Sequence, residues 1–447
     1  MSNRFAPSPP GKLFTGHLAS IRHDVLGLLV SSTREYGDVV RFRLGTLPVH
    51  LLNHPDYFAH VLLKNRENYD KNSRSSQSLR LVCGESLLTA SGEAWHWRRK
   101  LVQPAFHHEA VEGMVTTMIV STSEMLDEWS RRSQAGESVE IASAMMQLTC
   151  RIIGRCLFGT NLTLELSTIE DAMRTIVAYT YRRWRRLINW PASWRVGDNR
   201  VFHQSRVEVD AVVRQLLARH RANPPQTPNL LTMLSGGIDQ ETGLPVSENQ
   251  IRQEALVFLL AGHETTANAL AWSFYLLTKH PVEAEKIREE IETVCGSRPP
   301  EMRDLPRLEH TTRVFQETIR LYPPIWAMER HAIDDDCIAR YHIPKNSSII
   351  LSTYTLHRHP EFWSAPDAFL PERFMEKENP AYLPFGAGPR HCIGDEFAAS
   401  EAKIILAMVL QRFEIEAVDG KTIIPEAGLT LRLHSPLHLR LRERKNW

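Results

Sequence analysis

The densest chemistry in this 447-residue sequence lies in Pro384-Phe385-Gly386-Ala387-Gly388-Pro389-Arg390-His391-Cys392-Ile393-Gly394, which runs into an apolar-rich helical stretch from Asp395 to about Gln411. Three glycines in nine residues allow a tight backbone path that holds one cysteine at the mouth of a helix. There the helix dipole and free N–H groups favour an anionic sulfur. Taken alone, Cys392 is equally a buried hydrophobe in a glycine-rich turn. A second concentration is Ala261-Gly262-His263-Glu264-Thr265-Thr266, where an acid beside hydroxyls can hold and move protons. Glycine and hydroxyl residues weaken a helix, so their placement inside a helical pattern predicts a local opening. Glu317 and Arg320, three apart on one helical face, can form an ion pair.

These residues need elements to position them. Ser247-Glu248-Asn249-Gln250 reads as a capping box, and the helical pattern it opens continues to His280 before Pro281 stops it. The 34 residues from Ser247 make a helix roughly 50 Å long, a spine for the core. Val40, Phe42 and Leu44 alternate with Arg41 and Arg43 ahead of Gly45 and the run from Val49 to Leu52, which predicts a hairpin with one buried face. Residues 105–220 read as mainly helical, strands return at 347–353, and Leu437, Leu439 and Leu441 alternate with polar residues. The expected fold class is mainly α with smaller β-sheets around a long central helix.

Composition narrows the functional classes. With 53 Lys+Arg against 52 Asp+Glu, the chain lacks the basic excess that nucleic-acid binding demands. The longest apolar runs fall far short of the roughly 18 residues of a membrane span, and the N-terminus lacks the pattern of a secretory signal, so a cytoplasmic protein without a transmembrane anchor is expected. The six cysteines form no closely spaced pair, which disfavours a structural zinc site. Only Asn223 to Pro228 resembles a linker, so residues 1–447 are expected to form a single domain.

The cysteine loop resembles the haem-binding loop of the cytochrome P-450 superfamily, F-G-x-G-x-R-x-C-x-G, and all six specified positions match. The resemblance implies that Cys392 is the thiolate ligand of haem b iron, with Phe385 beside the sulfur and Gly386, Gly388 and Gly394 making room for the porphyrin. It implies an oxygen-activating role for the helical motif, with Ala261 at the haem, Thr265 bonding bound oxygen and Glu264 relaying protons from solvent; His263 reads as packing. Glu317, Arg320 and Arg373 of Pro371-Glu372-Arg373-Phe374 match the family's structural triad. Trp95, Arg99, Arg330 and Arg390 are candidate partners for the haem propionates.

The implied reaction is insertion of one atom of O2 into a C–H or C=C bond. An oxygen-independent or peroxide-driven haem-thiolate reaction and a non-catalytic haem sensor are the alternatives. Electrons are expected from a separate ferredoxin or flavodoxin with its reductase, docking through Arg98, Arg99 and Lys100. Residues 179–194, rich in Arg, Tyr and Trp, correspond to a lid over the substrate entrance, with contact to a membrane surface as a further option. Ile325, Trp326, Ala327, Leu429 and Leu431 are candidate pocket residues, and their apolar character points to a lipophilic substrate such as a terpenoid, fatty acid or polyketide-like molecule. Arg340 and Asn346 stand where relatives often carry glycine.

Overall fold

The computed structural model describes residues 4–162, 165–186, 189–225, 228–376 and 378–444. Gln226 and Thr227 of the expected linker, and Leu187 and Ile188 of the expected lid, lie outside the described residues. The central helix is Glu248–Lys279, opened by a reciprocal capping box between Ser247 and Gln250 and ended at His280, after which Pro281 begins the next helix. Its 32 residues span about 48 Å. Buried side chains occur all round it from Ile251 to Leu277, as expected of a helix enclosed by others. Helices Ile141–Phe158, Asp198–Ala222, Glu309–Leu321 and Asp395–Arg412 pack along it. Ile141–Phe158 is the one helix among the described residues long and apolar enough to cross a membrane, and 61% of it is buried inside the protein.

The expected opening at residues 261–266 is absent: the backbone is α-helical throughout. Thr265 Oγ1 donates back to the Ala261 carbonyl at 2.7 Å, which keeps that hydroxyl within the helix's own hydrogen bonding. Gly262 serves a different purpose. A Cβ there would lie 2.6 Å from Cδ1 of Ile153, so the missing side chain lets the central helix close on Ile141–Phe158.

The expected hairpin forms between Val39–Leu44 and Leu47–Leu52. Ser348–Leu351, Met328–Ala332 and Tyr69–Asp70 extend it to five strands. Its burial is two-sided where one buried face was expected. Val40, Phe42, Val49 and Leu51 pack with the N-terminal helices, while Val39 and Leu52 pack with Phe58 and Val61 on the other side. The C-terminal alternation becomes His438–Glu443, between Phe413–Ala417 and Val139–Glu140. Arg340 and Asn346 adopt left-handed backbone at φ 68° and 63°, the conformation that glycine takes without steric cost.

Glu317 is wholly buried and holds partners from its own helix and from the segment around Arg373. Arg320 donates to both of its carboxylate oxygens at 2.7 and 2.9 Å, and Arg373 Nε donates at 3.0 Å. Arg320 also donates to the carbonyls of His357, Pro366 and Ala368, which with the two bonds to Glu317 uses all five of its donors. Removing one member of such a buried set leaves an uncompensated charge, a loss of about 3–5 kcal/mol.

The Gly262 contact makes a quantitative prediction. Gly262→Ala should destabilise by about 1–3 kcal/mol through overpacking. In an Ile153→Val background, which lacks the clashing Cδ1, chemical unfolding should show a smaller loss. An equal loss in both backgrounds would exclude this account of the glycine.

Candidate active site

The cysteine loop is held by its own backbone. Cys392 N–H donates to the Phe385 carbonyl at 2.9 Å and His391 N–H to Gly388 at 2.9 Å, curling the chain back just before helix Asp395–Arg412. Gly386 and Gly388 both take φ near 73°, where a side chain would be strained. At Gly388 a Cβ would also meet the Leu62 carbonyl at 2.6 Å, so this glycine lets the loop close on residues 60–64. Gly394 has ordinary backbone, and a Cβ at that position would meet nothing nearer than Phe106 at 3.8 Å. Phe385 is partly buried against the main core, its ring 6.3 Å from that of His391.

Cys392 keeps open surface although protein surrounds it densely. Burial raises its thiol above the ordinary value, and the Asp395 charge adds to this; the Gly394 N–H and Arg99 pull the other way without winning. The helix mouth therefore does not by itself produce the expected anion. A bound metal cation would, since coordination deprotonates a thiol outright. Among the described residues no three His, Cys, Asp or Glu side chains gather to hold a metal, so a metal at Cys392 needs its other ligands from a cofactor. Of the remaining cysteines, Cys83, Cys150, Cys156 and Cys295 are buried and Cys337 is exposed.

Beside the loop lies an electrostatically incomplete cluster. Burial lowers Arg330 to about 10, and its one side-chain hydrogen bond goes to the carbonyl of its neighbour Glu329 at 3.0 Å. Arg390 is lowered to about 9 by burial and then by the Arg330 charge; it donates to Ala90 O at 2.7 Å and lies 4.5 Å over the Trp95 ring. Lys71 is driven well below its ordinary value by burial and by the charges of Arg330 and Arg390, against a lesser attraction from Glu329. Three cations converge in this way, Arg330 buried and Lys71 and Arg390 half-buried, with Glu329 and Asp70 the opposing charges, and a group with two carboxylates, such as haem with its propionates, would complete them. Arg99 stands apart, donating to the His391 carbonyl at 3.0 Å and thus bracing the cysteine loop. Sequence reasoning missed Lys71, which reaches Arg330 because Tyr69–Asp70 pairs with His331–Ala332, a contact with no local signal.

The oxygen motif also differs from expectation. Glu264 is buried and accepts from Thr430 Oγ1 at 2.5 Å, while Asn268 Nδ2 donates to the same hydroxyl oxygen at 3.1 Å. Burial raises Glu264 above the ordinary carboxylate range, opposed by the Thr430 bond and Arg432. The acid is thus tied to the hairpin Pro425–Leu433 where solvent contact was expected. Ala261 is exposed and Thr265 partly so. His263 is buried, with Nδ1 2.5 Å from the Leu259 carbonyl, a packing residue as its sequence context suggested. Thr430, Asn268 and Arg432 were missed, the first lying 166 residues from Glu264 in sequence.

An apolar chamber adjoins both groups. Trp326, Ala327 and Leu429 line it with Val25, Phe42, Tyr181 and Trp184. Two candidate pocket residues lie outside its wall: Leu431 is fully buried in its strand, and Ile325 is part-exposed with its carbonyl bound by Thr353. Within the expected lid, Tyr181 and Trp184 face the chamber, while Trp190 and Trp194 stack on each other at 5.6 Å and remain exposed. The expected docking cations also divide. Arg98 is buried with Nε 3.3 Å from Glu254, Arg99 is engaged at the loop, and only Lys100 is exposed.

A sequence profile described as Cytochrome P-450 matches residues 6–440. Among similar proteins, "Cyclooctatin synthase" of Streptomyces melanosporofaciens is 31% identical over 96% of this chain and 94% of its own. "Cyclooctat-9-en-7-ol 5-monooxygenase" of the same organism is 31% identical over 93% and 90%. "Pentalenene oxygenase" of Streptomyces avermitilis is 30% identical over 92% and 91%. The resemblance of the cysteine loop thus extends over nearly the whole length, and the chain belongs to the Cytochrome P-450 family of haem-iron monooxygenases, enzymes that use O2 and electrons from a redox partner.

Proposed function

We propose that residues 1–447 form one haem b domain that hydroxylates or epoxidises a lipophilic terpenoid. Cys392 is its thiolate ligand, and Trp95, Arg330, Arg390 and Lys71 surround the propionates. The observation that carries this reading is the convergence of buried Arg330 with half-buried Lys71 and Arg390, the last held by Ala90 and the Trp95 ring, beside a cysteine with open surface. When bound, the haem iron supplies the activation of dioxygen.

The chain's own residues supply binding and protons. Glu264 holds a proton above the usual carboxylate range and is oriented by Thr430. Thr265 can turn its hydroxyl from the Ala261 carbonyl by rotation about χ1, giving up a bond worth about 1 kcal/mol. Ala261 and Gly262 keep side-chain bulk away from this turn. The chamber offers Trp326, Ala327 and Leu429 as apolar contacts for the substrate. Two relatives named for an unsaturated alcohol and an alkene support a terpenoid over the other lipophilic classes.

A separate ferredoxin or flavodoxin docks on the cysteine-loop face, through the groove bordered by His96, Arg99, Lys100, Gln103 and Pro389, without the buried Arg98. A cytoplasmic location belongs to the same proposal.

Three measurements check it. Cys392→Ala should bind haem with a carbon-monoxide spectrum shifted to that of a non-thiolate haem protein; an unchanged spectrum refutes the ligand assignment. Thr265→Ala should lower the share of reducing equivalents recovered in product by about tenfold or more, with hydrogen peroxide appearing in its place. Unimpaired coupling would remove Thr265 from proton supply. For Glu264, the folded value lies above its ordinary 4.5, so the native state binds more protons than the unfolded one between the two values. Its stabilising contribution is full below 4.5 and is lost as pH rises toward the folded value. Glu264→Gln should therefore flatten the fall in unfolding free energy from mildly acid to mildly alkaline buffer. The same slope in both proteins would contradict the shift.

A further inference from the structure

Glu329 is the only charged side chain among the described residues lining the apolar chamber. Its direction follows from strand register. Glu329 pairs with Ile350, Ile350 with Leu51, and Leu51 with Val40, so these four side chains form one row on the same face of the five-stranded sheet. Ile350, Leu51 and Val40 pack in the cluster that contains Phe42 and Trp326, the floor of the chamber. Glu329 stands at the end of that row, buried, and directly precedes Arg330 of the cation cluster along the strand.

Its carboxylate is only partly satisfied. One oxygen accepts from Ser75 N–H at 2.9 Å, in the first turn of helix Arg74–Cys83, and the other from the Ser348 hydroxyl. Lys71 and Arg74 contribute charge without a direct ion pair to it. An ionised carboxylate accepts about four hydrogen bonds, and two protein donors are present. A hydrocarbon filling the chamber would displace water from the remaining acceptor positions and replace it with nothing, a penalty paid by that ligand alone. A ligand with a hydroxyl at the matching end would restore the bond, and a bond to a charged acceptor is the strong kind.

We propose that Glu329 is a specificity-determining residue and that the substrate is a terpenoid alcohol, its hydroxyl donating to Glu329 while the hydrocarbon body lies against Trp326, Ala327 and Leu429. This rests on the terpenoid reading above. It also places the enzyme after another reaction: the hydroxyl must already have been installed by an earlier oxygenation or hydration of the hydrocarbon skeleton.

The test uses haem-loaded protein and the absorbance change on ligand binding, with cedrol against cedrene, farnesol against farnesene, and the methyl ethers of both alcohols. Wild type should bind each alcohol about tenfold or more tightly than its hydrocarbon, and each ether, which keeps the oxygen and lacks the donor, no better than the hydrocarbon. Glu329→Gln should narrow the gap, and Glu329→Leu should abolish or reverse it. Equal affinities for alcohol, ether and hydrocarbon in wild type overturn the inference without variants and leave the terpenoid reading standing. So does a Glu329→Leu protein that weakens all ligands alike, since that marks a purely structural role in holding Ser75. Failure of wild type to bind any of the six overturns the terpenoid reading and this inference with it.

Discussion

Mutual repulsion among Lys71, Arg330 and Arg390 is the constraint on which the site depends. Burial disfavours the charge on each, and the attraction of Glu329 for Lys71 and of Asp70 for Arg390 is outweighed by it. Such an arrangement is unfavourable without a ligand and becomes favourable when an anion enters, so the free energy of cofactor binding is also free energy of folding. The sulfur follows the same logic. Burial keeps the Cys392 thiol protonated until a cation arrives, so the thiolate and its counter-charge form together. On the proposed reading one cofactor would complete both ends of the site, with carboxylates on one side and metal on the other.

The surrounding scaffold contains a charge network that is satisfied within itself. Glu317 collects Arg320, Arg373 and the Leu370 N–H, and Arg320 collects three carbonyls from the segment that leads toward the cysteine loop. That network ties helix Glu309–Leu321 to residues 357–373 through direct contacts. The central helix contributes in another way. Its close approach to Ile141–Phe158 at Gly262 sets where Glu264 and Thr265 project.

What could be read from the sequence was whatever depends on near neighbours along the chain. The capping box at Ser247, the curl of the cysteine loop, the hairpin at Gly45 and the Glu317–Arg320 pair are all encoded within a few residues. Lys71 beside Arg330, Thr430 on Glu264 and Glu254 against Arg98 are encoded by the tertiary fold, and no local pattern marks them. The errors have the same origin. Arg98 looks like a surface cation until the central helix brings a carboxylate to it, and Gly262 looks like a weak point in a helix until Ile153 occupies the space.

One short turn joins two tasks. Leu429 contributes to the chamber wall, and the adjacent residue, Thr430, grips the carboxyl group of Glu264. A single peptide unit thus links the wall of the chamber to the partner of a buried carboxyl group. On the proposed reading, occupancy and proton supply would share a mechanical part, so that a poorly fitting guest would disturb the timing of the reaction as well as its own residence.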